Sequence, residues 1–171
     1  YQRGYRWRSP ENNSVTNTES SQILQLLEDI KEYLEKTAFA KKFYCMQPVV
    51  VAKKSDNEGV RNVCLKDNEA VVEYDHKVSF FRGLMLLCQN GNSDFEICEK
   101  RTFNTNGAMF DVSRNAVMRV ETVKEIMKRM ALMGLDTFML YTEDTYEVEG
   151  HEYFGHMRGR YSKEEIKDME S

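Results

Sequence analysis

The stretch MALMGLDTFMLYTEDTYEVEGHEYFGHMRGRYSKEEI, Met130 to Ile166, decides the fold. It begins on the apolar face of a helix that ends at Gly134, a residue suited to a left-handed C-cap. Thr137 to Tyr141 is a nearly continuous apolar run, the pattern of a strand buried on both faces of a parallel sheet. The run opens into a loop crowded with carboxylates and tyrosines. Ser162 and Glu165 then have capping-box spacing for another helix. Helix, buried strand, polar loop and helix, in that order, is how a β/α-barrel presents its substrate-facing end.

Upstream, Val123, Ile126, Met127, Met130 and Met133 recur at helical spacing, while Lys124, Glu125, Lys128 and Arg129 face water. Ala108 to Val112 is a short apolar strand that runs into Asp111, Ser113 and Arg114. Together these pieces make one βαβ unit. Such a unit does not stand alone, because its strands need neighbours and its helix needs a sheet to cover. The expectation is the opening βαβ segment of an incomplete TIM (β/α)8 barrel. Docking on the preceding domain and pairing with a second copy are the alternatives.

The first hundred residues read differently. Tyr1 to Ser20 is a polar tail or edge segment, beginning YQRGYRWR. Ile23, Leu26, Leu27, Ile30, Tyr33 and Leu34 predict a helix over about 20–36. Met46–Ala52, Val60–Leu65 and Ala70–Tyr74 predict strands, the last two joined by an Asp67-Asn68 turn. Asp75 is expected to cap a helix starting near Lys77, whose face carries Phe80, Phe81, Leu84, Leu87 and Cys88. Asn90-Gly91-Asn92 ends that helix, and Phe95–Phe103 reads as a further strand. The result is an α+β domain, a mostly antiparallel sheet with helices on one face. The expected divisions are 1–20 for the tail, 21–103 for a small non-catalytic α+β domain, and 104–171 for the truncated barrel portion.

Composition narrows the function. Among 171 residues, 41% are hydrophobic and 30% charged, a globular balance. A net charge of -4 gives no reason to expect nucleic acid or an anionic membrane as partner. No apolar run has the length of a membrane span, and the N-terminus lacks the apolar core of a signal peptide. The 4 cysteines, Cys45, Cys64, Cys88 and Cys98, show no CxxC spacing. Reduced thiols and a cytoplasmic location are expected, with export and two disulfides as the alternative.

In a β/α-barrel, strand C-terminal ends line the site. Two such ends are visible. The first carries Asp111, Ser113, Arg114 and Asn115. The second carries Tyr141, Thr142, Glu143, Asp144 and Tyr146. The guanidinium of Arg114 offers a rigid fork of donors that suits sugar hydroxyls or carboxylates. A structural salt bridge to Asp111 or Asp144 is the competing reading. Glu143, Asp144, Glu147, Glu149 and Glu152 crowd one loop. Glycoside hydrolysis commonly uses a carboxyl pair, yet loop carboxylates are more often solvated or paired, here with Arg158 and Arg160. Tyr141, Tyr146, Tyr153, Phe154 and Tyr161 floor a sugar site on one reading and pin a long loop on the other. His151 and His156 do not form HExxH, so no metal site is expected. No phosphate loop or nucleophile elbow occurs, and no cofactor is expected.

Three segments in order, GAMFDVSRNAV (107–117), VETVKEIMKRMALMGLDTFMLYTEDTYEVEG (120–150) and YFGHMRGRYSKEEI (153–166), resemble the opening of the catalytic barrel of glycoside hydrolase family 20, the β-N-acetylhexosaminidases. The resemblance is closest to the branch of bacterial hexosaminidase C-type and sphingolipid hexosaminidases. The preceding region is similar to that family's small α+β domain, with Phe80-Phe81-Arg82-Gly83 matching part of its helix. The resemblance implies hydrolysis of terminal non-reducing β-linked GlcNAc or GalNAc with retention, the substrate's acetamido oxygen serving as nucleophile. It aligns Asp111 and Arg114 with a DxxR motif whose arginine holds sugar hydroxyls. Position at a strand end, and not the resemblance, suggests substrate contact by Tyr141, Glu143 and Asp144. The family's catalytic Asp-Glu pair follows the fourth barrel strand, so no catalytic residue is expected within this sequence, and Glu143-Asp144 has the wrong order. The expected function is therefore that of an N-terminal hexosaminidase fragment, inactive alone and prone to self-association through open barrel edges. The rival is a non-catalytic carbohydrate-binding or interaction module.

Overall fold

The computed structural model describes residues 49–90, 93–114 and 116–170. The expected tail, the helix over 20–36, the start of the first strand and Cys45 lie outside them. Contacts divide the chain into two compact units, with the main change-over in sequence between Asn104 and Thr105 and with Leu132–Gly134 grouped with the first.

The first unit holds strands β1 (Val49–Lys54), β2 (Val60–Lys66), β3 (Glu69–Tyr74) and β4 (Phe95–Lys100), and helix α1 (Lys77–Asn90). Strand order is β1-β3-β2-β4; β1 runs parallel to β3, while β2 is antiparallel to both β3 and β4. Mostly antiparallel is thus the observed character. The β2–β3 hairpin turns on Asp67 and Asn68, both at positive φ (49° and 66°). Two left-handed residues are what a type I′ turn requires, and Asp and Asn tolerate that region better than most residues.

Alternation buries Val63 and Leu65 on β2 and Ala70 and Val72 on β3, and α1 covers them with Phe80, Leu84 and Leu87. Burying one such side chain contributes roughly 1.5–3 kcal/mol. Gly83 permits the close approach, since a Cβ there would lie 2.5 Å from a Val72 methyl. Two expectations need correction. β4 stops at Lys100, not Phe103, because its partner β2 begins at Val60, opposite Lys100; Phe103 is exposed. Asp75 is not the helix cap. His76 caps α1, its Nδ1 accepting the Ser79 N–H at 3.0 Å. The Asp75 carboxylate instead accepts from the Gly59 N–H, the His76 N–H and the Ser79 hydroxyl.

The second unit holds β5 (Gly107–Asp111), α2 (Val120–Met133), β6 (Thr137–Tyr141) and α3 (Lys163–Glu170). β5 and β6 pair in parallel, Ala108 against Phe138 and Asp111 against Tyr141. The expected burial of β6 on both faces does not hold: Met139 is exposed, as is Met109 paired with it on β5, because nothing among the described residues covers that face. α2 ends in a Schellman arrangement: Gly134 has φ +84°, and the Leu135 N–H donates to the Met130 carbonyl at 2.9 Å. Val112, Val120, Val123, Tyr161 and Met169 form the buried core, with Phe138, Leu140 and Ile166 packed on it. Met133 is 64% exposed, against expectation. At 3.6 residues per turn it has drifted about 80° from Val123 and leaves the buried face. The capping box forms as read: Ser162 Oγ accepts the Glu165 N–H at 3.1 Å, and Glu165 accepts the Ser162 N–H at 2.8 Å. No helix among the described residues is long and apolar enough to cross a membrane.

Candidate functional site

Parallel pairing in register places the C-terminal ends of β5 and β6 side by side. Asp111 ends one strand and Tyr141 the other. Immediately after β5 the chain folds into an Asx turn: the Asp111 carboxylate accepts the Ser113 N–H at 2.8 Å and the Ser113 hydroxyl at 2.7 Å. Those bonds from Ser113, helped by the Arg114 charge, hold the Asp111 carboxyl below its ordinary pKa. Ser113 is buried, so the turn is fixed from beneath.

Arg114 leaves this turn into solvent, its side chain 70% exposed. Its nitrogens lie 3.9 Å from Asp111 and 3.8 Å from Glu143, and its guanidinium stands 5.9 Å over the Tyr141 ring. The Tyr141 hydroxyl donates to Glu143 at 3.0 Å. That bond and the carboxylate's charge push the tyrosine above its ordinary pKa, because phenolate would face an anion.

Glu143 reaches this position through an unusual backbone. Its φ is +47°, at the first central residue of a turn closed by Thr145 N–H donating to the Thr142 carbonyl at 2.9 Å. Left-handed non-glycine residues cost on the order of 1–3 kcal/mol and persist where surrounding bonds over-determine them. Here Thr145 is buried, and its hydroxyl donates a second bond to Thr142.

Four of the five residues read from sequence therefore converge: Asp111, Arg114, Tyr141 and Glu143. Asp144 does not join them. It turns toward Arg158, whose Nη1 stands 3.3 Å from Oδ1. That oxygen is buried and receives no directional hydrogen bond, so the contact is an ion pair of imperfect geometry. Arg114 pairs loosely with Asp111, as one alternative had it, and also with Glu143; no pair to Asp144 forms.

The loop between β6 and α3 is pinned by its aromatics. The Tyr161 hydroxyl donates to the Met118 carbonyl at 2.7 Å, and Tyr146 packs edge-on against Phe154 at 5.3 Å. Tyr146 and Tyr161 also form a parallel bridge. These rings hold the loop rather than floor a site. Tyr153 points outward, against His156. Two of the remaining carboxylates pair locally, Glu147 with Arg160 and Glu149 with Lys163.

The pinned loop closes one side of an open cavity of about 460 Å³, whose walls include Ser113, Arg114, Glu143, Thr145 and Arg158. Arg158 and Thr145 escaped the sequence reading as site residues. Arg158 stood out there only as a salt-bridge partner, and its distance along the chain from Arg114 carries no periodicity that would join them.

No protein-family model and no curated protein matches this chain. Solved structures do. An exo-β-N-acetylglucosaminidase of glycoside hydrolase family 20 from Vibrio harveyi, in complex with N-acetylglucosamine, aligns at a TM-score of 0.59 and 19% identity over 70% of this chain and 24% of its own. The Flavobacterium johnsoniae chitobiase aligns at 0.56 and 22% identity, over 71% and 21%. The Bacteroides fragilis β-N-acetylhexosaminidase aligns at 0.59 and 19%, over 70% and 29%. The chain thus spans less than a third of the length of each of these three proteins. At these identities the likeness is one of fold. Over some seven-tenths of its length, the chain has the fold of a fragment of glycoside hydrolase family 20 β-N-acetylhexosaminidases.

Proposed function

We propose that this chain is the N-terminal portion of a β-N-acetylhexosaminidase. The parent enzyme hydrolyses terminal non-reducing β-linked N-acetylhexosamine with retention, through the substrate's own acetamido group. Residues 21–103 form the non-catalytic α+β domain, preceded by a polar tail or edge segment over 1–20. Residues 104–171 open an incomplete (β/α)8 barrel. Arg114 holds hydroxyls of the terminal sugar, with Asp111, Tyr141 and Glu143 fixing its direction. The sequence contains no Asp-Glu dipeptide, so the catalytic pair belongs to chain beyond this sequence, and the 171 residues alone do not turn over substrate. Self-association through the edges of β5 and β6 belongs to the same reading. So does a reducing cytoplasmic location, with export as the alternative.

The observation that carries the proposal is the parallel register of β5 and β6. It brings Arg114 and Glu143 out on the same end of neighbouring strands, 3.8 Å apart. Oppositely directed strands would have separated them.

Reading the source gene beyond the codon for Ser171 tests the parent assignment; absence of an Asp-Glu pair after the fourth barrel strand refutes it. If the chain still bound N-acetylglucosamine in that case, a non-catalytic carbohydrate-binding module would be the reading that remains. In the parent enzyme, Arg114→Ala is expected to lower kcat/KM by about 10–100-fold, the worth of charged hydrogen bonds to a substrate. A chromogenic β-GlcNAc substrate should give no turnover with the 171-residue chain. Turnover abolished by Arg114→Ala would overturn its inactivity.

A further inference from the structure

We propose that Arg158 is a second sugar-binding guanidinium, facing the same cavity as Arg114 and setting which hydroxyl pattern the site accepts. The proposal rests on the hexosaminidase reading and adds to it a residue on the far wall. Three observations carry it.

First, Arg158 lines the cavity together with Arg114 and Glu143, although it comes from the pinned loop rather than a strand end. Second, its head group is under-used. Among the described residues its guanidinium has one partner, Asp144, and the Oδ1 it approaches at 3.3 Å receives no directional hydrogen bond. A guanidinium offers five N–H donors in a rigid fork. Most of them are therefore available on a side chain that is 41% exposed. Third, the backbone around it is held in place. Gly155 and Met157 have φ of +67° and +59°, and the Arg158 N–H donates to the Gly155 carbonyl at 3.1 Å. A Cβ on Gly155 would lie 2.2 Å from the Asp144 carbonyl oxygen, so this stretch lies tightly against the turn that carries Glu143.

Charge selects the ligand class. Asp111 and Glu143 flank Arg114 and Asp144 backs Arg158, three anions beside two cations. An anionic ligand gains little from such a set. A neutral polyol gains more, because each hydroxyl can accept from a guanidinium and donate to a carboxylate. The structure thus points to neighbouring hydroxyls of an uncharged sugar, with Asp144 a positioning residue that aims Arg158 from behind.

The test is an NMR titration of N-acetylglucosamine into the 171-residue chain, with glucuronic acid as the anionic probe. Arg158→Gln and Arg158→Lys are compared with Arg114→Ala, and amide dispersion confirms folding of each variant. Binding of N-acetylglucosamine should weaken by about tenfold in Arg158→Gln, the worth of a charged hydrogen bond, and recover in part in Arg158→Lys. Asp144→Asn should weaken it too. Its effect should vanish in an Arg158→Gln background, a non-additivity that a purely structural role does not produce. Binding lost in Arg114→Ala but unchanged in both Arg158 variants overturns this proposal and leaves the hexosaminidase reading standing. Tighter binding of glucuronic acid than of N-acetylglucosamine overturns the polyol assignment. No binding of N-acetylglucosamine by the unsubstituted 171-residue chain overturns the proposal for Arg158 and leaves the parent assignment to the test given above.

Discussion

Removing one oxygen from Tyr161 should loosen the whole site. The ring is 2% exposed within the core of Val112, Val120, Val123 and Met169, and its hydroxyl donates to the Met118 carbonyl at 2.7 Å. Tyr161→Phe keeps the ring and deletes only that bond. A buried hydrogen bond contributes about 1 kcal/mol net, and the orphaned Met118 carbonyl raises the loss to about 1–2 kcal/mol. The backbone bonds of Tyr161, to the Thr145 carbonyl and from the Glu147 N–H, remain. Tyr161→Ala removes the ring as well and should cost about 3–5 kcal/mol. Native-state hydrogen exchange read by mass spectrometry separates the two. In Tyr161→Phe, peptides covering 112–130 and 145–166 should exchange about tenfold faster, since 1.4 kcal/mol is a factor of ten. Unchanged exchange in Tyr161→Phe would show that the hydroxyl does not anchor the loop. Equal effects in the two variants would show that the ring contributes nothing beyond the bond.

Three further outcomes follow from single residues. Gly155→Ala should destabilise the second unit by about 2–4 kcal/mol in thermal unfolding, because φ +67° strains any L side chain and the added methyl meets the Asp144 carbonyl oxygen at 2.2 Å. Burial of Asp75 pushes its pKa up, but bonds from the Ser79 hydroxyl and the Gly59 N–H outweigh that and bring it down to about 2, below the ordinary 3.8. A depressed carboxyl stabilises the fold above pH ~4 and loses that contribution as pH falls toward 2. Asp75→Asn should therefore flatten stability against pH in that window by ~1 kcal/mol, after discounting for solvent screening, as denaturant melts at pH 2, 3, 4 and 6 would read. Glu143→Gln removes the negative acceptor beside Tyr141 and should lower that phenol's pKa toward its ordinary value, measured by NMR of ring-labelled tyrosine; an unmoved titration would mean the 3.0 Å bond is absent in solution.

The parts of the fold legible in the sequence are those set by local chemistry. Thr137–Tyr141 was readable from its run of apolar residues, the Asp67-Asn68 turn from its residue types, and the end of α2 from Gly134. Each depends on a few adjacent residues and needs no knowledge of partners. The misreadings came where a distant strand or side chain decides. β4 ends where β2 offers no further partner, which nothing in Phe95–Phe103 reveals. His76 takes the cap from Asp75 because the Asp75 carboxylate is drawn to Gly59, from the turn before β2. The site follows the same rule. Asp111 and Arg114 stood out by spacing and by resemblance, but Arg158 reaches the cavity only because aromatic pins fold the loop back.

Ion-pair geometry in the second unit supports the sugar site proposed at its strand ends. Away from the site, three pairs close to hydrogen-bond distance, Lys124 with Asp168 at 2.6 Å, Arg129 with Glu125 at 2.9 Å and Lys163 with Glu149 at 2.6 Å, while Arg160 and Glu147 stand at 3.8 Å. Arg114 has two carboxylates within reach and closes on neither, standing at 3.9 and 3.8 Å. Exposed pairs at such separations contribute little to folding. The turn that presents Glu143 meanwhile costs backbone strain that its loose pair with Arg114 does not offset. A cluster optimised for the folded state would have relaxed the turn and closed the pair. One that leaves Arg114 close to two carboxylates without closing on either keeps donors and acceptors free, as the proposed sugar site requires.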